Sequence, residues 1–181
     1  MALATYKDLC IDAVDPLALG EFWAETLGLE PTRLDDGDLR LDGPTPQHRV
    51  WVNGVSEPVT VKQRVHIDVH VGATQEVLDR GATPVDLESF RWDVLRDPEG
   101  GELCTFTRET VPAYKLYEVV VDSVEAHEIG AWWAEVLGAT VEYGDEHEAS
   151  FADAPGMPFE LVFGDVPEPK LSLIHISEPT D

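Results

Sequence analysis

Leu9, Ile11 and Ala13 alternate with Asp8, Cys10 and Asp12, the period of two expected of a strand that lays one face on a core. A helical period takes over directly. Asp15 suits the N-cap, Pro16 the first helical position and Gly28 the left-handed turn that ends a helix, and between them Leu19, Phe22, Trp23, Thr26 and Leu27 share one helical face. That face reads as core, so its aromatics are expected to be buried. Strand-like pieces follow, separated by the bend signals Asp35-Asp36-Gly37, Gly43-Pro44 and Asn53-Gly54. The order of strand, helix and strands then begins again. Val65–Val71 alternates strictly, positions 74–80 read as a short helix closed by Gly81, and strands are expected near 83–86, 90–95 and 103–107, with Asp97-Pro98-Glu99-Gly100-Gly101 as the last hairpin turn.

The first unit recurs at a shift of 110 positions. Asp12, Val14, Gly20, Trp23, Ala24, Glu25, Leu27 and Gly28 fall on Asp122, Val124, Gly130, Trp133, Ala134, Glu135, Leu137 and Gly138, an ungapped match that marks an internal repeat. The register runs to Gly54 and Gly164, and one extra residue brings Glu57-Pro58 onto Glu168-Pro169. Ile129, Trp132, Trp133, Val136 and Leu137 repeat the apolar helix face and are likewise expected in a core. The organisation is therefore an α+β chain: two βαβββ units over 6–108 as one complete domain, a short linker with Val111-Pro112, and a truncated copy of the first unit over 114–170. The stretch 171–181 reads as a non-native tail and is set aside from the fold.

Composition narrows the partners. The 181 residues carry 12 basic and 36 acidic side chains, a net charge of −24, scattered along the chain as on a solvated surface. Such a surface repels phosphate backbones and anionic lipid heads, so neither nucleic acid nor membrane is an expected partner. No apolar run reaches a membrane span and the start lacks a secretory pattern, so a cytoplasmic protein is expected. Cys10 and Cys104 are too few and too far apart for a disulfide framework. No phosphate-binding glycine loop, nucleophile elbow or HExxH is present, which removes nucleotide-binding and common hydrolase readings.

The strand alternation sets His66, Asp68 and His70 on one face, opposite Val65, Ile67, Val69 and Val71. A polar face on a strand backed by a helix looks at water or at a ligand cavity. His66 and Asp68 are read either as ligand-binding or as a pair that shares water or an ion contact. Glu102, two residues before Cys104, is able to turn the same way as the thiol. Trp51 and Trp92 lie on expected strands, as walls for a planar ligand or as ordinary core. Asp12 and Asp122 are placed at the approach to the helix N-termini.

Phe22-Trp23-Ala24-Glu25-Thr26-Leu27-Gly28, the strand Arg64-Val65-His66-Ile67-Asp68-Val69, and Asp97-Pro98-Glu99-Gly100 before a last strand together resemble the vicinal oxygen chelate superfamily. The nearest branch is the glyoxalase-like group, alongside glyoxalase I, bleomycin-resistance proteins and extradiol dioxygenases. The resemblance implies paired βαβββ modules curled into an open cup, with a metal inside it that polarises substrate oxygens. It places the metal positions on Asp8, His66 and Cys104, where common members carry His, His and Glu. The implied cofactor is one divalent metal, zinc-like if Cys104 is a ligand, and two histidines with one carboxylate for ferrous iron are not present. Three functions are in view: a small-molecule-binding glyoxalase-like protein, a metal-dependent lyase or isomerase with His66 or Glu102 moving a proton, and sequestration of a cationic drug. The ligand-binding set is Asp68, His70, Trp51 and Trp92. The half-copy, with half a cup, is expected to pair in a homodimer or to be poorly ordered.

Overall fold

The computed structural model describes residues 1–144 and 147–166. The first unit consists of β1 (Leu9–Ala13), α1 (Pro16–Leu27), β2 (Glu30–Arg33), β3 (Leu39–Asp42) and β4 (Val50–Gly54). Its four strands form a sheet in the order β1-β4-β3-β2, with β1 parallel to β4. The cap signals act as their chemistry requires. Asp15 accepts from the Ala18 amide at 3.0 Å, and Gly28 closes the helix in the left-handed region at φ 72°. Leu19, Phe22, Trp23 and Leu27 are buried, and each contributes about 1.5–3 kcal/mol of apolar transfer.

The second unit is β5 (Val65–Val71), α2 (Gln75–Leu78), β6 (Thr83–Asp86), β7 (Asp93–Arg96) and β8 (Glu102–Thr107). The half-copy supplies β9 (Leu116–Ser123), α3 (Ala126–Leu137), β10 (Glu142–Tyr143), β11 (Glu148–Phe151) and β12 (Glu160–Asp165). These two join in one eight-stranded sheet, β10-β11-β12-β9-β5-β8-β7-β6, through antiparallel pairing of β5 with β9. The continuous sheet therefore links the second unit to the half-copy and not to the first unit. The half-copy meets its sheet partner within the chain, through the hydrogen-bonding edge that two like first strands offer each other.

The repeat reaches into the packing. Gly20 lets α1 settle on Leu39, and its counterpart Gly130 lets α3 settle on Ala149 and Phe163. The extra residue of the half-copy falls before β12 and not after it: Ala13 pairs with Gly54 while Ser123 pairs with Asp165. Asp165 then stands where its carboxylate accepts from the Ala126 amide at 2.7 Å, capping α3. One expectation fails. Ile129, Trp132 and Trp133 are exposed, because no element of the described chain covers the outer face of α3. The stretch 171–181, set aside as a tail, lies outside the described residues, as does the end of the 114–170 copy.

Candidate functional site

The register of the larger sheet gathers the polar side chains. Asp68 on β5 lies opposite Cys104 on β8 and opposite Glu118 on β9, so all three emerge from one face. Alternation adds His66 and His70 on β5, Glu102 and Phe106 on β8, and Asp122 on β9. The opposite face carries Ile67, Val69, Leu103, Val119 and Phe163, all buried.

His66, Asp68 and Cys104 form a group in which a ring nitrogen, a carboxylate oxygen and a sulfur all lie within 4.8 Å of one another. His66 Nε2 is 3.4 Å from Asp68 Oδ1. Asp68 also hydrogen-bonds the Cys104 thiol and the Glu118 carboxyl. His66 Nδ1 and Asp68 Oδ1 are buried without a hydrogen-bond partner among the described residues, a condition that costs free energy unless a further group satisfies them. Lys62, from the segment before β5, reaches Asp122 at 2.8 Å and Glu102 at 3.8 Å.

Burial sets the protonation states. Asp68 is pushed up to about 8, first by desolvation and then by the neighbouring Glu118 charge. Burial also raises Glu118 above the usual carboxylate range, and raises the Cys104 thiol far above its ordinary value, with Asp68 adding to the effect. His66 is lowered by burial, so at neutral pH its ring is uncharged, although Asp122 and Glu102 pull the other way. These groups fit a divalent cation by the chemistry of their atoms: imidazole nitrogen, thiolate sulfur and carboxylate oxygen are a zinc-type donor set, surrounded by surplus acid. Asp68 and Cys104 hold protons that a cation would displace.

Along the same face, the site passes into aromatics. Tyr117 stacks on His70 at 4.4 Å between centroids, Phe106 meets Tyr117 at 5.2 Å, Trp92 stacks on Phe106 at 5.5 Å, and Phe90 stacks on Trp92 at 5.1 Å. The Arg108 guanidinium lies over Phe106 and Tyr117. Burial and Arg108 lower the His70 pKa.

The positions expected from the sequence are only partly united. His66, Asp68, Cys104, Glu102 and His70 share the face, and Trp92 joins it through Phe106. Asp8 does not belong to the group: it precedes β1 on the smaller sheet and pairs with Lys7 at 3.0 Å. The registers Leu9–Val50, Ile67–Leu103 and Val119–Leu161 show why, since they make Asp8, His66 and Glu118 the same place in the three copies. The sheet pairs the second copy with the third, so His66 shares its face with Glu118 and not Asp8. Trp51 also lies on the smaller sheet, beneath Arg49 at 5.7 Å. Asp122, expected to serve the start of a helix, instead binds Lys62. The shift of 110 that links Asp8 to Glu118 was the available signal for Glu118; nothing local in the sequence pointed to Lys62.

A family profile described as a glyoxalase-like domain matches residues 8–106 and 118–181. The chain belongs to the glyoxalase-like family. That places it in the vicinal oxygen chelate superfamily, and solved structures agree on the fold. Glyoxalase I from Zea mays is similar with a TM-score of 0.60 and 13% identity, covering 89% of this chain and 68% of that one. A putative dioxygenase from Bacillus subtilis subsp. subtilis str. 168 is similar with a TM-score of 0.58 and 13% identity, covering 90% of this chain and 64% of that one. The glyoxalase-like chain thus spans about two thirds of the length of these structures. No curated protein sequence matches it. Among the described residues no helix is long and apolar enough to cross a membrane.

Proposed function

We propose that the polar face of the larger sheet binds a small planar molecule bearing oxygen donors, with a divalent cation held by His66, Asp68 and Cys104 and the ring of the ligand stacked along Trp92, Phe106 and Tyr117. The observation that carries this reading is the continuity of β5, which presents His66 and Asp68 beside the acidic group and His70 beside the aromatic row. A bound cation supplies Lewis-acid polarisation of a ligand oxygen. The chain's own residues orient and desolvate: the neutral His66 ring offers a nitrogen, and Glu118 accepts or releases the proton it shares with Asp68. The aromatic row excludes water from one flank.

A second reading, metal-dependent lyase or isomerase chemistry, draws support from Glu118, which lies beside the His66, Asp68 and Cys104 donor set without belonging to it and which burial raises above the usual carboxylate range, toward what a general acid or base needs at neutral pH. In it, Glu118 takes up and returns the mobile proton, and Glu102 serves the same ligand from the adjoining strand. Sequestration of a cationic compound draws support from the net charge of −24, which concentrates cations near an acidic face.

Zinc titration followed by titration with a catechol tests the proposal. One zinc per chain, with catechol then quenching tryptophan fluorescence in the parent but not in Trp92→Leu, supports it. Absence of stoichiometric zinc, or quenching unchanged in Trp92→Leu and in His66→Ala, overturns it. Turnover of a small ketoaldehyde that is lost in Asp68→Asn selects the enzymatic reading.

A further inference from the structure

The face that carries the donor set changes charge from one end to the other. Along β8 its side chains follow in the order Glu102, Cys104 and Phe106, and Arg108, just past the strand, comes next. The Arg108 amide continues the ladder by donating to the Val71 carbonyl at 2.9 Å, so the residue keeps the strand's alternation. One end of the face is therefore acidic, with Glu102 and Asp122, and the other ends in a guanidinium.

Lys62 and Arg108 stand at these opposite ends and are held differently. Lys62 is spent on acids, at 2.8 Å from Asp122 and 3.8 Å from Glu102. Arg108 makes no ion pair among the described residues, although the chain carries 36 acidic and 12 basic side chains. Arg33, Arg40, Arg49 and Arg80, by contrast, each meet a carboxylate. The Arg108 guanidinium rests on rings instead, 5.4 Å from the Phe106 centroid and 5.2 Å from that of Tyr117. Its hydrogen bond to the adjoining Thr107 carbonyl is a long one of 3.4 Å. Contact with aromatic rings uses the charge of a guanidinium and spends none of its five donors. Same-face positions on a strand repeat about every 6.6 Å, which sets Arg108 about 13 Å of backbone beyond Cys104. The guanidinium turns back over Phe106, so the interval from the donor set suits one six-membered ring with a short arm. His70, level with Phe106 and stacked on Tyr117, flanks this end without adding an acid.

We propose that the planar ligand of this face is an acid: an arene with adjacent oxygens at the donor set and, on a short arm at the opposite end, a carboxylate taken by Arg108. The inference rests on the binding reading given above and adds the ligand's charge to it. Arg108 is a specificity-determining residue, whose planar fork matches a carboxylate at two points. Its preference runs against the field of a chain with net charge −24, which on its own favours a cationic arm.

Quenching of tryptophan fluorescence in the zinc-loaded parent chain tests this, with plain catechol and with dihydrocaffeate, its primary amide, and the amine of the same arm length. The acid is expected to bind about tenfold tighter than the amide, and the amine most weakly. In Arg108→Gln the ratio of acid to amide falls to about one, and Arg108→Lys, which keeps the charge without the fork, restores part of it. Zinc stoichiometry checks that both variants are folded. An acid that binds no tighter than its amide, an amine that binds tightest, or a preference for the acid that survives in Arg108→Gln overturns the proposal even though plain catechol binds. If plain catechol fails to bind as well, the reading of the face fails and the ligand's charge falls with it.

Discussion

The carboxyl of Asp68 on β5 is hydrogen-bonded to the carboxyl of Glu118 on β9, across the seam where the second unit joins the half-copy. Two acids in contact in a buried setting cannot both ionise at low cost, so one retains a proton. The pair thereby links the way the sheets join to the chemistry of the site.

The first prediction concerns pH. The folded-state value of Asp68 is raised from 3.8 to about 8, so the folded chain binds a proton that the unfolded chain has lost over that interval. Stability is fullest below the unfolded value and declines as pH rises toward 8, by on the order of a few kcal/mol. Denaturant unfolding at pH 5 and pH 8 checks this; Asp68→Asn is expected to flatten the difference.

Lys62 gives a second prediction. Its ammonium, 2.8 Å from Asp122, adds positive charge to the acidic group and helps hold the His66 pKa down. Lys62→Met should raise the His66 pKa, read by NMR, and strengthen cation binding by about tenfold, equivalent to about 1.4 kcal/mol. Unchanged affinity and pKa would show that the ammonium has no hold on the group.

Glu99 supplies the third. Its two bonds to the Val14 and Asp15 amides join the first unit to the second across 84 and 85 positions of sequence. Glu99→Gln keeps the shape and loses the charge, and is expected to cost about 1 kcal/mol. Faster hydrogen exchange at the start of α1, with β9 to β12 unaffected, is the specific signature.

The two helix glycines give the fourth. A methyl at Gly130 would stand 2.8 Å from Ala149 Cβ, which cannot rotate away, while one at Gly20 would stand 2.6 Å from Leu39 Cδ2, the movable end of a side chain. Gly130→Ala is therefore expected to destabilise more than Gly20→Ala, by about 1–3 kcal/mol of overpacking set against the roughly 1 kcal/mol that alanine gains in a helix. Thermal unfolding of the two variants compares them directly.

Much of this was legible in the residues. Asp15, Pro16 and Gly28 mark α1 because capping is local chemistry, and the alternation from Val65 to Val71 places His66, Asp68 and His70 on one face because strand geometry leaves no other choice. The partner of β5 was not legible. Three first strands of like pattern each offer an edge, and tertiary packing, which no local period encodes, selects β9. From that one choice follow the replacement of Asp8 by Glu118, the separation of Trp51 from the site and the arrival of Asp122 beside Lys62. The exposure of Trp132 and Trp133 was hidden for the same reason, since helical spacing specifies a face and not what covers it.

The most direct measurement compares zinc binding by calorimetry in the parent chain, Asp8→Ala and Glu118→Ala. If the site is built across the β5–β9 seam, Asp8→Ala binds as the parent does, and Glu118→Ala differs from it by about tenfold or more. Loss of binding in Asp8→Ala with Glu118→Ala unaffected would mean that the first unit, and not the half-copy, completes the site.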